Sequence, residues 1–193
     1  PGCVGASPMQ NIGAYGVELK DVFSWLEAIE IKTGQLKRFN LKECKLGYRE
    51  SVFKSELKGE WVIVRGAYNL DRESPLKTSY GAIEEEISEI NKMDLTHLDV
   101  AKAVIKIRNS KLPNPDVIGN AGSFFKNPIV KKEDFNKLKA VYPEIPNYPI
   151  DGEVVKLAAG WLIDTSGWRG HDRGTHGVHE HQALVLVNNG GAT

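Results

Sequence analysis

The residue pattern changes near residue 75, and this change limits the folds open to the chain. Before it, apolar residues alternate in the way typical of strands, and we predict a strand pair over 17–39 and a strand over 61–70. After it, helical spacing prevails. We predict helices at 81–90, 96–109 and 132–141, an amphipathic helix within 154–166, and a closing strand at 182–188. Together these parts predict an α+β fold.

Local signals mark where several of these elements begin. Asn40 is suited to cap a short helical turn over 41–45, because its side chain can accept a backbone N–H bond. Thr96 and Asp99 resemble a capping box, with Asp where Glu or Gln is usual. The segment 74–77 reads as a linker, so we predict one part over 1–76 and a second over 77–193.

The composition excludes several classes of protein. The 193 residues are 41% hydrophobic and carry no net charge, so nothing indicates a nucleic-acid partner. No signal peptide is evident, and no apolar run approaches the roughly 18 residues that span a bilayer. Cys3 and Cys44 make no disulfide framework and suit a reducing cytosol. Because the chain starts at Pro1 without Met and ends at Thr193 after an apolar strand, we expect it to be a piece of a longer protein.

The stretch 119–128, GNAGSFFKNP, combines groups that are unusual for a purely structural segment. Gly119 and Gly122 allow a tight turn or a close approach to a ligand. Phe124 and Phe125 are expected to anchor the segment in a core. The pattern therefore indicates that the Ser123 hydroxyl is held rigidly against a bound molecule. A hairpin-like turn that runs into a buried strand explains the same residues.

The first sixteen residues, PGCVGASPMQNIGAYG, form a second candidate site. A glycine-rich loop exposes backbone N–H groups, which suit phosphates or a polar ring system. It is not the dinucleotide fingerprint, because the spacing of the glycines differs and no strand precedes it. Taken alone, the segment is at least as consistent with an ordinary loop as with a cofactor site.

Four of the five histidines lie within 171–181 and leave a metal site open as an alternative. His179 and His181 would share the face of a strand, whereas His171 and His176 fall in a loop. No supporting carboxylate motif is evident, so we interpret the segment as a solvated surface loop and expect no metal.

Five long motifs in order resemble the UDP-N-acetylenolpyruvoylglucosamine reductase family: PGCVGASPMQNIGAYGVEL, GYRESVFK, KLPNPDVIGNAGSFFKNP, NYPIDGEVVKLAAGWLID and VHEHQALVLVN. The similarity covers essentially the whole chain without large gaps. The segment around Tyr148 resembles the subtype that closes a tyrosine loop over the substrate.

The resemblance implies a fold and an activity. It implies that 1–76 is the second half of an FAD-binding domain of the vanillyl-alcohol-oxidase type, followed by an α+β substrate-binding domain. It implies a bacterial cytoplasmic enzyme, monomeric at full length, that uses FAD and NADPH to reduce an enolpyruvyl group on a UDP-sugar during peptidoglycan synthesis. The first part of the flavin site and a catalytic glutamate of the family have no counterpart in this chain.

The resemblance also implies roles for individual residues. Arg49 matches the arginine at the substrate carboxylate, and Ser123 matches the proton donor. The positions expected to face the flavin are Gly2, Gly5, Ser7, Gln10, Asn11 and Gly13. Positions expected to contact substrate or NADPH are Tyr15, Tyr48, Tyr80, Lys111, Asn127, Tyr148, Lys156 and Gln182.

Purely structural roles for these residues remain open. Arg49 could instead form a surface ion pair with Glu50 or Glu56, and Ser123 could bond to backbone. The tyrosines and Gln182 could satisfy local hydrogen bonds. For the chain as a whole, the alternative to an enzyme is a nucleotide-sugar-binding fragment without activity, which we expect of this chain on its own.

Overall fold

A computed structural model describes residues 3–91 and 93–192. The chain divides into two compact units between Val104 and Ile105. Both units combine helices with antiparallel sheets, as predicted for an α+β fold. The linker predicted at 74–77 falls in irregular chain between the last strand of the first unit and the helix that follows it. The boundary at 76 between a cofactor part and a substrate part stays a prediction.

The first unit is built on a three-stranded antiparallel sheet with β3 at its centre, in the order β4-β3-β5. Its elements are β1 (Gly13–Ala14), β2 (Val17–Glu18), β3 (Phe23–Glu30), β4 (Leu36–Asn40), α1 (Leu41–Cys44), β5 (Trp61–Tyr68), α2 (Gly81–Glu86) and α3 (His97–Lys111), within which the two units divide. Short 3₁₀ turns lie at Val4–Gln10, Leu19–Asp21 and Val52–Lys54. The predicted strand pair and the strand over 61–70 are confirmed.

One face of this sheet forms a core. Leu26 and Ala28 are completely buried, and the ring of Phe39 lies 5.1 Å from those of both Phe53 and Trp61. Edge-on aromatic pairs at this spacing add stability beyond their buried area. The core fixes β3 and thereby the chain segments at its ends.

Both predicted helix starts are confirmed. Asn40 accepts a 3.0 Å bond from the backbone N–H of Glu43, whose carboxylate accepts one from Asn40. Thr96 and Asp99 exchange the same pair of bonds ahead of α3. Each reciprocal pair satisfies two backbone donors that a helix end leaves open.

The second unit holds two three-stranded antiparallel sheets, in the orders β10-β11-β6 and β7-β9-β8. Its elements are β6 (Gly119–Ser123), β7 (Ile129–Lys131), α4 (Lys132–Val141), β8 (Asn147–Pro149), β9 (Val154–Leu157), α5 (Ala159–Thr165), β10 (His176–Val178) and β11 (Val185–Asn188). A core of Phe135, Ile145, Val155 and Leu157 lies beneath α4. The helix predicted over 132–141 and the closing strand are confirmed.

One expectation for this unit is confirmed only in part, and another is wrong. The helix predicted within 154–166 is present only as α5 (Ala159–Thr165). The residues before it, Val154–Leu157, form strand β9, because Val155 and Leu157 point into the core while β7 and β8 pair with the strand on either side. Phe124 and Phe125 do not anchor a core, since they are 60% and 46% exposed. They follow β6, an edge strand, where the chain leaves the sheet.

Among the described residues, no helix is both long enough and apolar enough to cross a membrane.

Candidate functional site

In the first unit, the glycine loop is joined to the turn at Tyr48 and Arg49 by hydrogen bonds between residues far apart in sequence. Asn11 Nδ2 donates to the Gly47 carbonyl oxygen at 2.9 Å. Ser51 Oγ donates to the Met9 carbonyl oxygen at 2.5 Å. We call the two joined segments, residues 9–13 and 47–51, the loop clasp. It brings together two predicted sites that are about 36 residues apart in the chain.

Arg49 adds a third bond to the loop clasp. Its Nη2 donates to the Gly13 carbonyl oxygen at 2.6 Å, and its guanidinium lies 5.5 Å from the Tyr48 ring centroid. Arg49 makes no ion pair with any described residue: Glu56 pairs with Lys45 at 2.6 Å instead, and Glu50 accepts from the backbone N–H of Ser51. The surface ion pair that the sequence left open is therefore absent from the described part of the chain.

The backbone of this region is strained at the predicted site positions. Asn11, Tyr15 and Arg49 have φ of 46°, 54° and 54°, and Lys45 is the fourth non-glycine residue with positive φ among the described residues. Such residues persist only where surrounding contacts over-determine them, and they concentrate at functional sites. Tyr15 and Gly16 form the tight turn between β1 and β2.

Asn11 is completely buried and its side chain is fully used inside the protein. Its Nδ2 also donates to Glu18 Oε2 at 3.1 Å, while its Oδ1 accepts the backbone N–H of Lys20 at 2.9 Å. A ligand cannot reach this side chain, so it supports the loop from beneath. If Asn11 contacts a cofactor as predicted, it can do so only through its backbone.

The other predicted cofactor positions divide into exposed and structural ones. Gly5 is exposed, and a Cβ added there would meet no atom within 4 Å. Gly13 is required by the fold, because a Cβ would lie 2.8 Å from Glu18 Cγ. The Ser7 hydroxyl is nearly buried and donates to the Val4 carbonyl oxygen, and Gln10 accepts from Lys54 at 3.3 Å. Gly2 lies outside the described residues.

The ring of Tyr80 packs against the ring of Tyr15. Their ring centroids are 5.3 Å apart and nearly perpendicular, and Tyr80, which directly precedes α2, is 52% exposed. Two tyrosines predicted to contact substrate thus share one surface in the first unit.

In the second unit, Ser123 ends β6 and is exposed. Its hydroxyl forms no hydrogen bond within the part of the chain that the structure describes, so the backbone-bonded serine that the sequence left open is absent there. Gly122 has φ of 60°, and its N–H is held by Asn120 Oδ1 at 3.0 Å. The backbone of Ser123 is thereby fixed while its hydroxyl stays available.

Lys156 and Tyr148 are cross-strand neighbours on β9 and β8. The ammonium lies 5.5 Å from the ring centroid, a distance at which a cation is attracted to the face of a tyrosine. The resemblance implied a loop around Tyr148 that closes over the substrate, and a helix was predicted within 154–166, whereas Tyr148 and Lys156 both lie in strands. Strand pairing to β9 explains the difference.

Two of the remaining predicted residues of this unit, Asn127 and Gln182, lie near the start of α5, where Gln182 Oε1 is 4.0 Å from the position that a Cβ would take on Gly160. Asn127 Oδ1 accepts the backbone N–H of Ala159, the first residue of α5, at 2.9 Å. Gln182 Oε1 accepts the N–H of Leu184 at 3.5 Å. Lys111 is exposed at the end of α3.

A cavity of about 750 Å³ also lies in the second unit. Its lining is largely apolar and includes Phe125, Leu162, Trp168, Val178 and Leu186. None of the predicted site residues lines it.

The histidine segment brings two rings together. The centroids of His179 and His181 are 5.5 Å apart, and burial lowers the pKa of His179, with the charge of His181 adding to the effect. Among the described residues, no three potential metal-ligating side chains of His, Cys, Asp or Glu come together.

Sequence reasoning did not single out Ser51, Glu18 or Tyr68. Their hydroxyls and carboxylate hold the glycine loop: Tyr68 Oη lies 3.2 Å from Ser7 Oγ, and Glu18 supports Asn11. Each contact joins residues between 7 and 61 positions apart, so no local pattern could reveal it.

Comparisons with known proteins cover the whole chain. Residues 113–193 match the model of the UDP-N-acetylenolpyruvoylglucosamine reductase, C-terminal domain. The chain is 50% identical over all 193 residues to the UDP-N-acetylenolpyruvoylglucosamine reductases of Amoebophilus asiaticus and Photobacterium profundum, covering 57% and 55% of their lengths. The crystal structure of UDP-N-acetylenolpyruvylglucosamine reductase from Thermus caldophilus shares its fold, with a TM-score of 0.58 at 22% identity over 98% of this chain and 50% of that one.

The fold defines an α+β protein built like part of a reductase whose structure is known. The sequence matches then point to one family: the chain is similar over its whole length to the UDP-N-acetylenolpyruvoylglucosamine reductases, and residues 113–193 match the model of their C-terminal domain. The chain spans a little over half the length of the curated relatives it matches.

Proposed function

We propose that the full-length product of this coding region reduces the enolpyruvyl group of UDP-N-acetylglucosamine enolpyruvate to give UDP-N-acetylmuramate, with NADPH as the reductant and FAD as the cofactor. The observation that carries the proposal is 50% identity over all 193 residues to reductases of that name. This activity is a step of peptidoglycan precursor synthesis, and we assign it to a cytoplasmic monomer.

The glycine loop has features that suit a flat cofactor. Gly5 and Ala6 are exposed, and a side chain at Gly5 would meet open space, so a ring system could approach the backbone there. FAD, when bound, accepts a hydride from NADPH and delivers it to the substrate. We propose that the outward backbone of residues 5–13 holds the ring, with Asn11 acting from beneath.

Arg49 is proposed to bind the substrate carboxylate. Hydride addition at the β-carbon places negative charge on that carboxylate as an enolate, which a fixed cation stabilises. The bond from Nη2 to the Gly13 carbonyl oxygen, at 2.6 Å, fixes one side of the guanidinium, and its remaining N–H groups are available for a carboxylate.

Ser123 is proposed to donate the proton that the α-carbon then requires. The fixed backbone at Gly122 and the free, exposed hydroxyl support this role. The proton moves from Oγ to carbon, so the resulting alkoxide needs a neighbouring donor. We propose Lys111 or a further acid of the full-length protein for that purpose. Tyr15, Tyr48, Tyr80, Asn127, Tyr148, Lys156 and Gln182 are proposed to bind the sugar nucleotide or NADPH.

The proposal is tested with the purified full-length protein. We expect NADPH oxidation that depends on the enolpyruvyl sugar nucleotide, and a product that has gained two hydrogen atoms by mass spectrometry. A rate of NADPH oxidation that is independent of the sugar nucleotide would contradict the proposal. The 193-residue chain by itself is expected to bind FAD weakly and to turn over poorly.

A serine variant tests the proton donor separately. Ser123→Ala should lose substrate reduction but retain flavin reduction by NADPH, because only the first needs the α-carbon proton. Ser110→Ala, which removes a hydroxyl bonded to its own helix at 3.0 Å, is the control. If Ser123→Ala reduces the substrate at the normal rate, Ser123 is not the donor.

A further inference from the structure

The Ser51 hydroxyl is a buried polar group with one specific task. Ser51 is completely buried, and its Oγ donates to the carbonyl oxygen of Met9, which is 42 positions away. A buried hydroxyl without a partner is costly, so such groups are almost always bonded. Here the hydroxyl is not bonded within its own turn. Its bond instead connects two segments, the turn that contains Arg49 and the glycine loop.

Ser51 lies two residues after Arg49, whose backbone is strained at φ of 54°. On the other side of Arg49, Asn11 holds the Gly47 carbonyl oxygen at 2.9 Å. The strained residue is therefore held to the same loop on both sides, and its own guanidinium reaches Gly13. Contacts of this kind are what keeps an unfavourable backbone conformation populated.

We propose that Ser51 is a positioning residue for Arg49: by holding the Met9 carbonyl oxygen, its hydroxyl fixes the register of the loop clasp and so aims the guanidinium. The inference rests on the proposed function, because it takes Arg49 to act on a carboxylate. It adds a residue that touches neither substrate nor cofactor.

The chemistry predicts a selective defect. Without the hydroxyl, the turn keeps its packing but loses one of the bonds that align it with the loop. A misplacement of about 1 Å at a charge-stabilising group costs up to roughly 10²-fold in rate. The loss should be larger for substrate reduction, where Arg49 acts, than for the reduction of flavin by NADPH, which depends on the glycine loop but not on the guanidinium.

Kinetics of the full-length protein provide the first test. Ser51→Ala should lower kcat for substrate reduction about 10-fold or more, and should lower the rate of flavin reduction by NADPH by a clearly smaller factor. Ser51→Thr, which keeps the hydroxyl, should recover most of the loss. The control is Ser55→Ala, because Ser55 Oγ donates to the Ser51 carbonyl oxygen at 3.1 Å without reaching the loop. An unchanged kcat in Ser51→Ala, or an equal loss in both half-reactions, overturns the proposal.

Hydrogen exchange provides a second test that needs no activity. In the 193-residue chain, Ser51→Ala should speed amide exchange in the peptide 9–13 about 10-fold, whereas Ser55→Ala should not. Equal exchange in wild type and Ser51→Ala contradicts the loop clasp even if the reductase is active. A wild-type protein that lacks reductase activity refutes the proposed function, while the exchange result still decides whether Ser51 holds the loop. If Ser51→Ala does not fold, exchange and kinetics of Ser51→Thr decide, and loss of both in that variant counts against the hydroxyl.

Discussion

The guanidinium of Arg49 donates a 2.6 Å hydrogen bond to the carbonyl oxygen of Gly13, from a residue whose own backbone is left-handed at φ of 54°. Gly13 cannot be replaced without a clash, since a Cβ would lie 2.9 Å from the Val17 carbonyl oxygen. Strain at one partner and steric necessity at the other indicate that the pair is maintained for its geometry.

The first prediction separates the strain at Arg49 from its chemistry. Arg49→Gly and Arg49→Ala both remove the guanidinium, and both should lose about 10²–10³ in the rate of substrate reduction. Glycine adopts positive φ without penalty, so the glycine variant should be more stable than the alanine variant by roughly 0.5–1 kcal/mol after the entropy of its unfolded chain is counted. Urea unfolding measures the difference.

Lys45 offers a matched control for this comparison. It has φ of 46° at the end of α1 and lies outside the proposed site. The free energy of unfolding of the Lys45→Gly variant should be higher than that of the Lys45→Ala variant by a similar amount, and the activity of both should be unchanged. If the two Arg49 variants are equally stable while the Lys45 variants differ, Arg49 is not left-handed in solution.

Elements set by local signals were predictable from the sequence. The Asn40 cap, α4 and the strand pair predicted over 17–39 follow from contacts within a few residues. Strand β9 was not, because the segment KLAAGWLID has helical spacing and only pairing with β7 and β8 makes its first residues a strand. Local preference was overridden by tertiary pairing.

The candidate site shows the same division. Arg49 and Ser123 were indicated by long motifs. The structure adds that Arg49 makes no ion pair and that the Ser123 hydroxyl makes no hydrogen bond among the described residues, while the Arg49 guanidinium is held by the Gly13 carbonyl oxygen. The hydroxyl of Ser51 and the carboxylate of Glu18 went unnoticed, because their partners Met9 and Asn11 are distant in sequence or become neighbours only through a tight turn.

The second prediction concerns Asn127, which substitutes for a missing helix cap. The residue before α5 is Ala158, which has no capping side chain, and Asn127 Oδ1 takes the N–H of Ala159 instead. Asn127→Ala should lower the free energy of unfolding by about 1 kcal/mol. Asn127→Asp keeps an oxygen at that position and should retain most of the stability. Thermal unfolding measures both, and equal losses would exclude the capping role.

The third prediction concerns Glu27, whose side chain is only 11% exposed and pairs with Arg38 at 2.7 Å and Arg65 at 3.0 Å across three strands. Glu27→Gln leaves two arginines opposite a neutral group, and we expect a loss of about 1–2 kcal/mol. Glu56→Gln breaks the exposed pair with Lys45 and should cost less than about 0.5 kcal/mol. Urea unfolding at low and high salt measures both, and a larger loss in Glu56→Gln would reverse the assignment.

The last prediction follows from Cys44, which is completely buried in the core of the first unit. Burial, with a smaller contribution from the charge of Glu43, raises the pKa of its thiol to about 12. The unfolded chain ionises at a lower pH, near 8.5, so the folded state binds the proton more tightly. The stability from this proton is complete below about pH 8.5 and is lost as the pH rises toward 12.

Two measurements examine this behaviour. Between pH 7.5 and 10 the urea midpoint of wild type should fall more than that of Cys44→Ala, because other titrating groups are common to both proteins and only the thiol differs. A thiol reagent at pH 8 should modify the exposed Cys3 rapidly and Cys44 only as fast as the first unit opens. Equal pH dependence in the two proteins, or rapid modification of both thiols in the folded state, would show that Cys44 is reached by water and that the core around β3 is open on the timescale of the reaction.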